Sequence, residues 1–324
     1  MESIYYVLCW ACHRKCEHCY EPRFKPYVRG ALRGVVDEAR AAFPKVISNL
    51  PDKLRYLDLS APSKTTPRGY VARPGRIILA GGEVLVDPVR EAVLYPPLEA
   101  IRDKYAGQGL RVIVQTTGDL VTPQIVEDLL DRDVWMISCA GMDDFHVGME
   151  GEKRAPLQVR LRAMFEAAGM RDSTLGVTVR DWPDKPNDTP VYSFFGATED
   201  AWIGKIWPRG RAWENSLSKA NITDNFCNAW SGGLNFLNRG HSASEVSIDP
   251  NGDVFPCCLK TAKPLDNLAE ERLDDILDSL VGHPVFEAGD LDGSSGTDGS
   301  LSWMGHCPIS RGVAHDEAQR RSIP

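Results

Sequence analysis

The sequence predicts an α/β architecture built on parallel strands, and three observations predict it. Short β-branched and aromatic runs alternate with helix-sized segments, giving about six strands over the first two thirds of the chain. Cysteines, glycines and small polar residues collect directly after those runs, at the strand ends where α/β folds place their chemistry. From Asn221 onward the texture changes to Gly/Asn/Ser-rich loops with a hairpin signal, so a smaller cysteine-rich α+β unit follows. The expected boundaries are residues 1–212 and 213–324.

Composition narrows the classes. At 324 residues with 43% hydrophobic and 25% charged positions, the chain matches ordinary globular proteins and is long enough for a substantial core. The net charge of −8 offers no basic footprint, so nucleic acid is not an expected partner. Met1-Glu2-Ser3 leads almost at once into the first strand, with no basic and apolar leader and no run long enough to span a bilayer. A cytoplasmic protein without membrane contact is expected, and in a reducing compartment nine cysteines argue for metal or catalysis over disulfides.

The first strand is Ile4-Tyr5-Tyr6-Val7-Leu8-Cys9, and the loop after it carries Cys12, Cys16 and Cys19, followed by Tyr20. Three soft thiolates in one short loop can hold a metal centre and leave a coordination position free; zinc and iron–sulfur readings both fit at this point. Cys9 stands at the wrong spacing and reads as a strand residue. Leu32, Val35, Val36, Ala39, Phe43, Val46 and Ile47 then recur at helical spacing, predicting a helix over 30–50. Residues 51–75, rich in Pro, Ser, Thr, Arg and Gly without a clear period, read as a long loop.

Arg76-Ile77-Ile78-Leu79-Ala80 is the second strand and ends in Gly81-Gly82-Glu83. Glycines there allow close backbone approach, and a carboxylate can pair with an ammonium. A helix over 87–105 leads to strand Leu110–Val114, which ends in Gln115-Thr116-Thr117-Gly118. Thr122-Pro123 reads as an N-cap with proline at the first helical position, and Leu129 and Leu130 lie on the apolar face of that helix. Strand Val134–Cys139 follows, with Ser138 at its end, Cys139 as a small core residue and His146 a few residues on. A helix over 156–168, a strand over 174–179, an Asp/Pro/Asn-rich loop over 181–190 and a strand over 202–207 complete the series. The last strand runs into Pro208-Arg209-Gly210-Arg211-Ala212.

The Cys12-x3-Cys16-x2-Cys19 loop resembles that of the radical S-adenosylmethionine (radical SAM) enzymes, and later motifs recur in the family's order. That resemblance implies a partial (β/α)6 TIM-like barrel. It also implies a 4Fe–4S cluster on Cys12, Cys16 and Cys19 whose open iron binds S-adenosylmethionine (SAM). Gly81, Gly82 and Glu83 would contact the amino group of SAM. His18, in the position before the third cysteine, would lie near the adenine beside Tyr20. Thr117 stands where the family often has asparagine. Ser138 and Arg211 are candidate SAM contacts, and His146 is expected as a structural hydrogen-bonding residue. Ala140 departs from the family, which usually has an acid there.

The second cysteine set resembles the SPASM and twitch domains appended to many such enzymes. Glu245–Ile248 and Val254–Pro256 read as a hairpin around Asp249-Pro250-Asn251-Gly252-Asp253, and Gly252-x4-Cys257 fits the pattern. A helix with Leu273, Ile276 and Leu277 on one face follows. The dense later cysteine run of a full SPASM domain is absent. Cys227, Cys257 and Cys307 therefore suffice for one auxiliary 4Fe–4S cluster, although the gap after Cys227 is long. Adjacent Cys257 and Cys258 point apart, so either one of them is free, with Cys258 the candidate spare thiol for substrate binding or hydrogen donation, or a buried bystander.

The resemblance implies reductive cleavage of SAM and hydrogen abstraction from a small-molecule metabolite or natural-product substrate, with a flavodoxin- or ferredoxin-type reductant. Three alternatives stand beside it. A partner-delivered precursor peptide would make the chain a ribosomal-peptide maturase. The run Cys257-Cys258-Leu259-Lys260 occurs in some organoarsenical-forming members. A non-enzymatic iron–sulfur or zinc protein would use the same cysteines for structure or sensing.

Overall fold

In the structure, a computed structural model, the described residues are 1–174, 189–196, 206, 209–218, 239–256, 260 and 263–281. An eight-stranded sheet in the order β10-β9-β1-β4-β5-β6-β8-β7 organises the chain. Its central run is parallel: β1 (Ser3–Val7) pairs with β4 (Arg76–Ala80), then come β5 (Arg111–Thr116), β6 (Val134–Cys139) and β8 (Val191–Phe194). Two-residue β7 (Arg171–Asp172) adds to β8. The α/β expectation holds.

Parallel neighbours need crossovers, and helices supply them. The predicted first helix is α1 (Arg29–Asn49), which buries Val36, Ala39, Val46 and Ile47. α2 (Tyr95–Lys104) follows one π-helical turn, Arg90–Leu94, in which Tyr95 N–H reaches back to the Arg90 carbonyl. Pro96 and Pro97 lack the N–H groups that would continue a regular α-helical ladder there. α3 (Pro123–Leu130) begins as expected, with Thr122 Oγ1 accepting from Ile125 N–H at 3.3 Å. α4 (Arg154–Ala167) buries Leu161 and Phe165 and connects toward β8. The core lies between sheet and helices, with Tyr6, Ile77, Leu79, Val114, Ile137 and Phe165 essentially inaccessible.

Two expectations need correction. Residues 51–75 are not an irregular loop: β2 (Arg55–Pro62) and β3 (Tyr70–Pro74) form a separate antiparallel pair. The Pro/Ser/Thr composition hid it because its stabilising centre is a charge. Asp58, 1% exposed, accepts from Ser60 N–H, Ser60 Oγ and Arg73 Nε. Val191–Phe194, next to the Asp/Pro-rich loop and not among the expected strands, is the strand β8 against β6. Of the expected strand over 174–179 only Thr174 is described, and of that over 202–207 only Ile206, which is not in a strand.

The predicted hairpin is β9 (Glu245–Ile248) and β10 (Val254–Phe255), paired antiparallel. Gly252 turns the chain with φ +93°, and a Cβ there would meet Asn267 Oδ1 at 2.8 Å. β9 also pairs in parallel with β1, so the C-terminal segment extends the same sheet. α5 (Gly210–Glu214) buries Gly210, Arg211 and Ala212, and α6 (Leu273–Asp278) buries Leu273, Ile276 and Leu277, the last three as their spacing predicted.

Candidate metal and cofactor centre

The cysteine loop begins where β1 stops, and the sheet ladder continues into it. Leu8 N–H donates to Ala80 O, Gly82 N–H to Cys9 O and Glu83 N–H to Ala11 O, at 2.7, 3.0 and 2.8 Å. Gly81-Gly82-Glu83 therefore docks directly onto the residues preceding Cys12. The loop closes on itself through Cys12 N–H to Lys25 O at 3.1 Å and Cys19 N–H to Cys16 O at 3.3 Å.

Each of the three thiols has a backbone neighbour. Arg14 N–H points to Cys12 Sγ at 3.4 Å, Val147 N–H to Cys16 Sγ at 3.5 Å, and Cys19 Sγ to Glu21 O at 3.3 Å. Burial pushes the Cys12 thiol up to about 12 and the Cys19 thiol to about 11, and it raises Cys16 as well. None of the three is in a disulfide. Buried thiols of this kind ionise when a cation takes the proton's place. Cys9 and Cys139 are buried outside the set, as the sequence indicated.

Glu83, 2% exposed, is more committed than expected. One carboxylate oxygen accepts from Leu85 N–H and Thr116 Oγ1, the other from Thr117 N–H and Thr117 Oγ1, the last three at 2.7 Å. Thr117 also contacts Asp119, and Asp119 reaches His13 Nε2 and Arg14 Nη2, both at 2.8 Å. Burial would raise the Asp119 carboxyl, but His13, Thr117 and Arg14 hold it well below the usual carboxylate range. A continuous polar chain thus runs from the end of β4 through the end of β5 to the loop. The sequence singled out Glu83 and Thr117; it did not reveal Asp119, His13 or Arg14.

On the other side stand His18 and His146, with ring centroids 4.5 Å apart. His146 Nδ1 lies 2.8 Å from both oxygens of buried Asp143, which also accepts from Phe145 N–H and His146 N–H. His146 is therefore the structural hydrogen-bonding residue expected of it. His18, Asp143 and His146 offer ligand atoms all within 4.8 Å of one another. Burial, then the neighbouring His146, lowers His18 to about 4, so the ring is neutral at pH 7. Ser138, at the end of β6, is buried and shares a hydrogen bond of 3.1 Å with Ser193 Oγ on β8.

Residues 209–212 hold the loop through Arg211 and Gly210. Arg211, 8% exposed, donates to the carbonyls of Cys16, Pro22 and Phe24 at 2.8, 2.9 and 2.8 Å. Gly210 has φ +57° and packs on the backbone of Tyr20, whose carbonyl oxygen would lie 2.4 Å from a Cβ. The Tyr20 ring stands edge-on to Phe24 at 5.9 Å. Cys227, Cys257, Cys258 and Cys307 all lie outside the described residues. Among the described residues no helix is long and apolar enough to cross a membrane.

Comparison with known proteins adds the following. Among solved structures, BtrN in complex with AdoMet and 2-DOIA shares 13% identity at a TM-score of 0.46, over 90% of this chain and 85% of that one. Streptococcus suis SuiB bound to precursor peptide SuiA shares 12% at 0.45, over 95% and 70%. Native anSMEcpe with bound AdoMet and Cp18Cys peptide shares 12% at 0.44, over 94% and 87%. No curated protein matches the chain. Residues 241–284, spanning the β9–β10 hairpin and α6, match the SPASM family, described as an iron–sulfur cluster-binding domain. The matched hairpin lies at the edge of the parallel α/β sheet, beside β1.

Proposed function

We propose that the chain is a radical SAM enzyme whose catalytic 4Fe–4S cluster is held by Cys12, Cys16 and Cys19. One observation carries the reading: Gly81-Gly82-Glu83 is hydrogen-bonded onto the three-cysteine loop at the ends of adjacent parallel strands. The residues present also suit a bound group. His13 Nδ1, Arg14 Nη1 and His18 Nδ1, all inside the loop, are buried without a hydrogen-bond partner, and buried polar atoms ordinarily have one.

Cys12, Cys16 and Cys19 would hold the cluster, which when bound would supply the electron for reductive cleavage of SAM and so the radical chemistry for hydrogen abstraction from substrate. The chain's residues supply placement. Arg211 fixes the loop backbone, and the Glu83–Thr117–Asp119 chain holds its Cys12 end. Gly82 lets the backbones approach. His18, with His146 behind it, forms the wall expected beside the adenine, and Tyr20 and Ser138 complete the candidate contacts. Glu83, whose carboxylate already accepts four hydrogen bonds, would favour the methionyl ammonium through its fixed negative charge rather than through a further hydrogen bond.

The SPASM match, which contains Cys257 and Cys258, supports an auxiliary iron–sulfur cluster; the ligand set we propose for it is Cys227, Cys257 and Cys307, with Cys258 as the spare thiol for substrate. A small metabolite or natural-product intermediate is the substrate class we propose, with a flavodoxin- or ferredoxin-type reductant and a cytoplasmic location. Anaerobic reconstitution tests the reading: about eight irons per chain with two clusters, and 5′-deoxyadenosine formed from SAM on reduction. Zinc in place of iron with no SAM cleavage would overturn it.

A further inference from the structure

Where the hairpin segment meets the cysteine loop, five charged side chains gather, two of them against the Trp10 ring. Glu21, two residues past Cys19 and 1% exposed, accepts from Arg23 Nε at 2.7 Å and Arg23 Nη2 at 2.8 Å. Arg209 Nη2 and Lys260 Nζ stand 3.4 and 3.6 Å from the same Oε2 that Arg23 Nη2 binds. Asp249, in the hairpin turn and 2% exposed, binds Lys260 and stands 3.3 Å from Arg23 Nη2. The Arg23 guanidinium lies 3.4 Å over the Trp10 ring, and Lys260 Nζ lies 5.2 Å from it and 5.0 Å from Phe255.

Glu21, Asp249 and Lys260 are buried while Arg23 is half-exposed; burying charge is costly unless the geometry is fixed, so such a group is weak as a stabiliser and suits registration of one segment against another. Its members come from three places: the loop (Glu21, Arg23), residues 209–212 (Arg209) and the SPASM segment (Asp249, Lys260). Lys260 holds its place with a left-handed backbone, φ +61°. For a non-glycine residue that conformation persists only where surroundings impose it. Glu21 is the common partner of all three cations, and its carbonyl oxygen accepts from Cys19 Sγ.

We propose that Glu21 is a positioning residue that locks the Cys19 end of the cluster loop to the SPASM domain through Lys260, and that this pair sets the reduction potential of the catalytic cluster. The proposal rests on the reading of Cys12, Cys16 and Cys19 as cluster ligands. Fixed charges beside a cluster shift its potential in a direction set by their sign. Glu21→Gln removes a negative charge and raises the potential; Lys260→Met removes a positive charge and lowers it.

The test is a redox titration of the catalytic cluster, followed by its electron paramagnetic resonance signal, in reconstituted full-length chains. Opposite shifts in the two variants support the proposal, with Glu21→Asp close to wild type and Glu21→Gln/Lys260→Met between the singles. A purely structural role would lower the melting temperature of both variants and leave the potential unmoved, which overturns it. If Glu21→Gln takes up no cluster, Lys260→Met decides, and an unchanged potential there overturns the lock. A wild-type chain that binds no cluster overturns the cluster reading itself and the lock with it, whereas unshifted variants of a loaded enzyme overturn the lock alone.

Discussion

Gly82 packs so closely on Ala11 that a Cβ at Gly82 would stand 2.2 Å from the Ala11 carbonyl oxygen, and 2.8 Å from Cys12 Cβ. Both obstacles belong to the cysteine loop, and the nearer one is backbone, which has no rotamer with which to yield. Gly82→Ala must therefore displace the loop or the end of β4. The expected cost is about 2–4 kcal/mol of stability, with loss of iron uptake at the first site. Iron analysis and urea unfolding of the variant check both; a fully loaded, wild-type-stable Gly82→Ala contradicts the docking.

Glu83 offers a second test, because its carboxylate accepts four hydrogen bonds in a site 2% exposed. Gln would turn an NH2 group toward donors that are already in place, leaving at least one buried N–H unmatched. Glu83→Gln should lose about 2–4 kcal/mol, a larger loss than is usual for an isosteric change. Thermal unfolding of the metal-free chain measures this independently of SAM binding.

Arg211 reaches three carbonyls of one loop with a single planar group. A lysine ammonium is a compact point charge and cannot span them together. Arg211→Lys is thus expected to behave like Arg211→Met, each losing about 2–4 kcal/mol. Proteolysis of the cysteine loop in the metal-free chain should speed up in both variants. Full rescue by lysine would show that charge, not the fork, is what the loop requires.

Asp58 governs the β2–β3 pair, and its pH dependence has a definite sign. Burial would raise its carboxyl, but Ser60 and Arg73 outweigh it and hold the group below the usual carboxylate range. A depressed folded value means the contribution is complete above the unfolded carboxyl value, about 3.9, and fades as pH falls below it. The stability gap between wild type and Asp58→Asn should therefore be wide near pH ~6 and narrow toward pH ~3. Denaturant midpoints of the metal-free proteins across that range check the trend, and a gap that widens on acidification refutes it.

The parallel frame was readable because β1, β4, β5 and β6 are apolar runs bounded by turn residues, and the Thr122 cap and the Gly252 turn each have a local chemical cause. Three cysteines at fixed spacing, and Gly81-Gly82-Glu83 one crossover later, were legible for the same reason. The β2–β3 pair was not, since a buried Asp58–Arg73 ion pair between strands leaves no periodic signature. Nor was Arg211's role: a guanidinium that clamps backbone carbonyls depends on which loop folds over it, and its partners lie 187 to 195 positions away. Asp143 was adjacent in sequence to residues already noticed, and its spacing of three from His146 is the signal that could have found it.

Cys16 and Cys9 separate the cluster reading from general sensitivity to cysteine loss. Both are buried, at 6% and 1% exposure, so burial alone does not distinguish them. Cys16 sits in the loop with a backbone N–H aimed at its sulfur from Val147, whereas Cys9 belongs to the core and its sulfur is met by the neighbouring Ala11 and Trp10 backbone N–H groups. Cys9→Ala removes one buried atom and should cost about 1 kcal/mol, with iron content and SAM cleavage unchanged. Cys16→Ala should retain the fold and the auxiliary iron, lose about half the total iron and abolish 5′-deoxyadenosine formation. Measured side by side, the pair assigns the effect to ligation: a Cys16→Ala chain that still cleaves SAM at the wild-type rate would remove Cys16 from the cluster, whatever the other cysteines do.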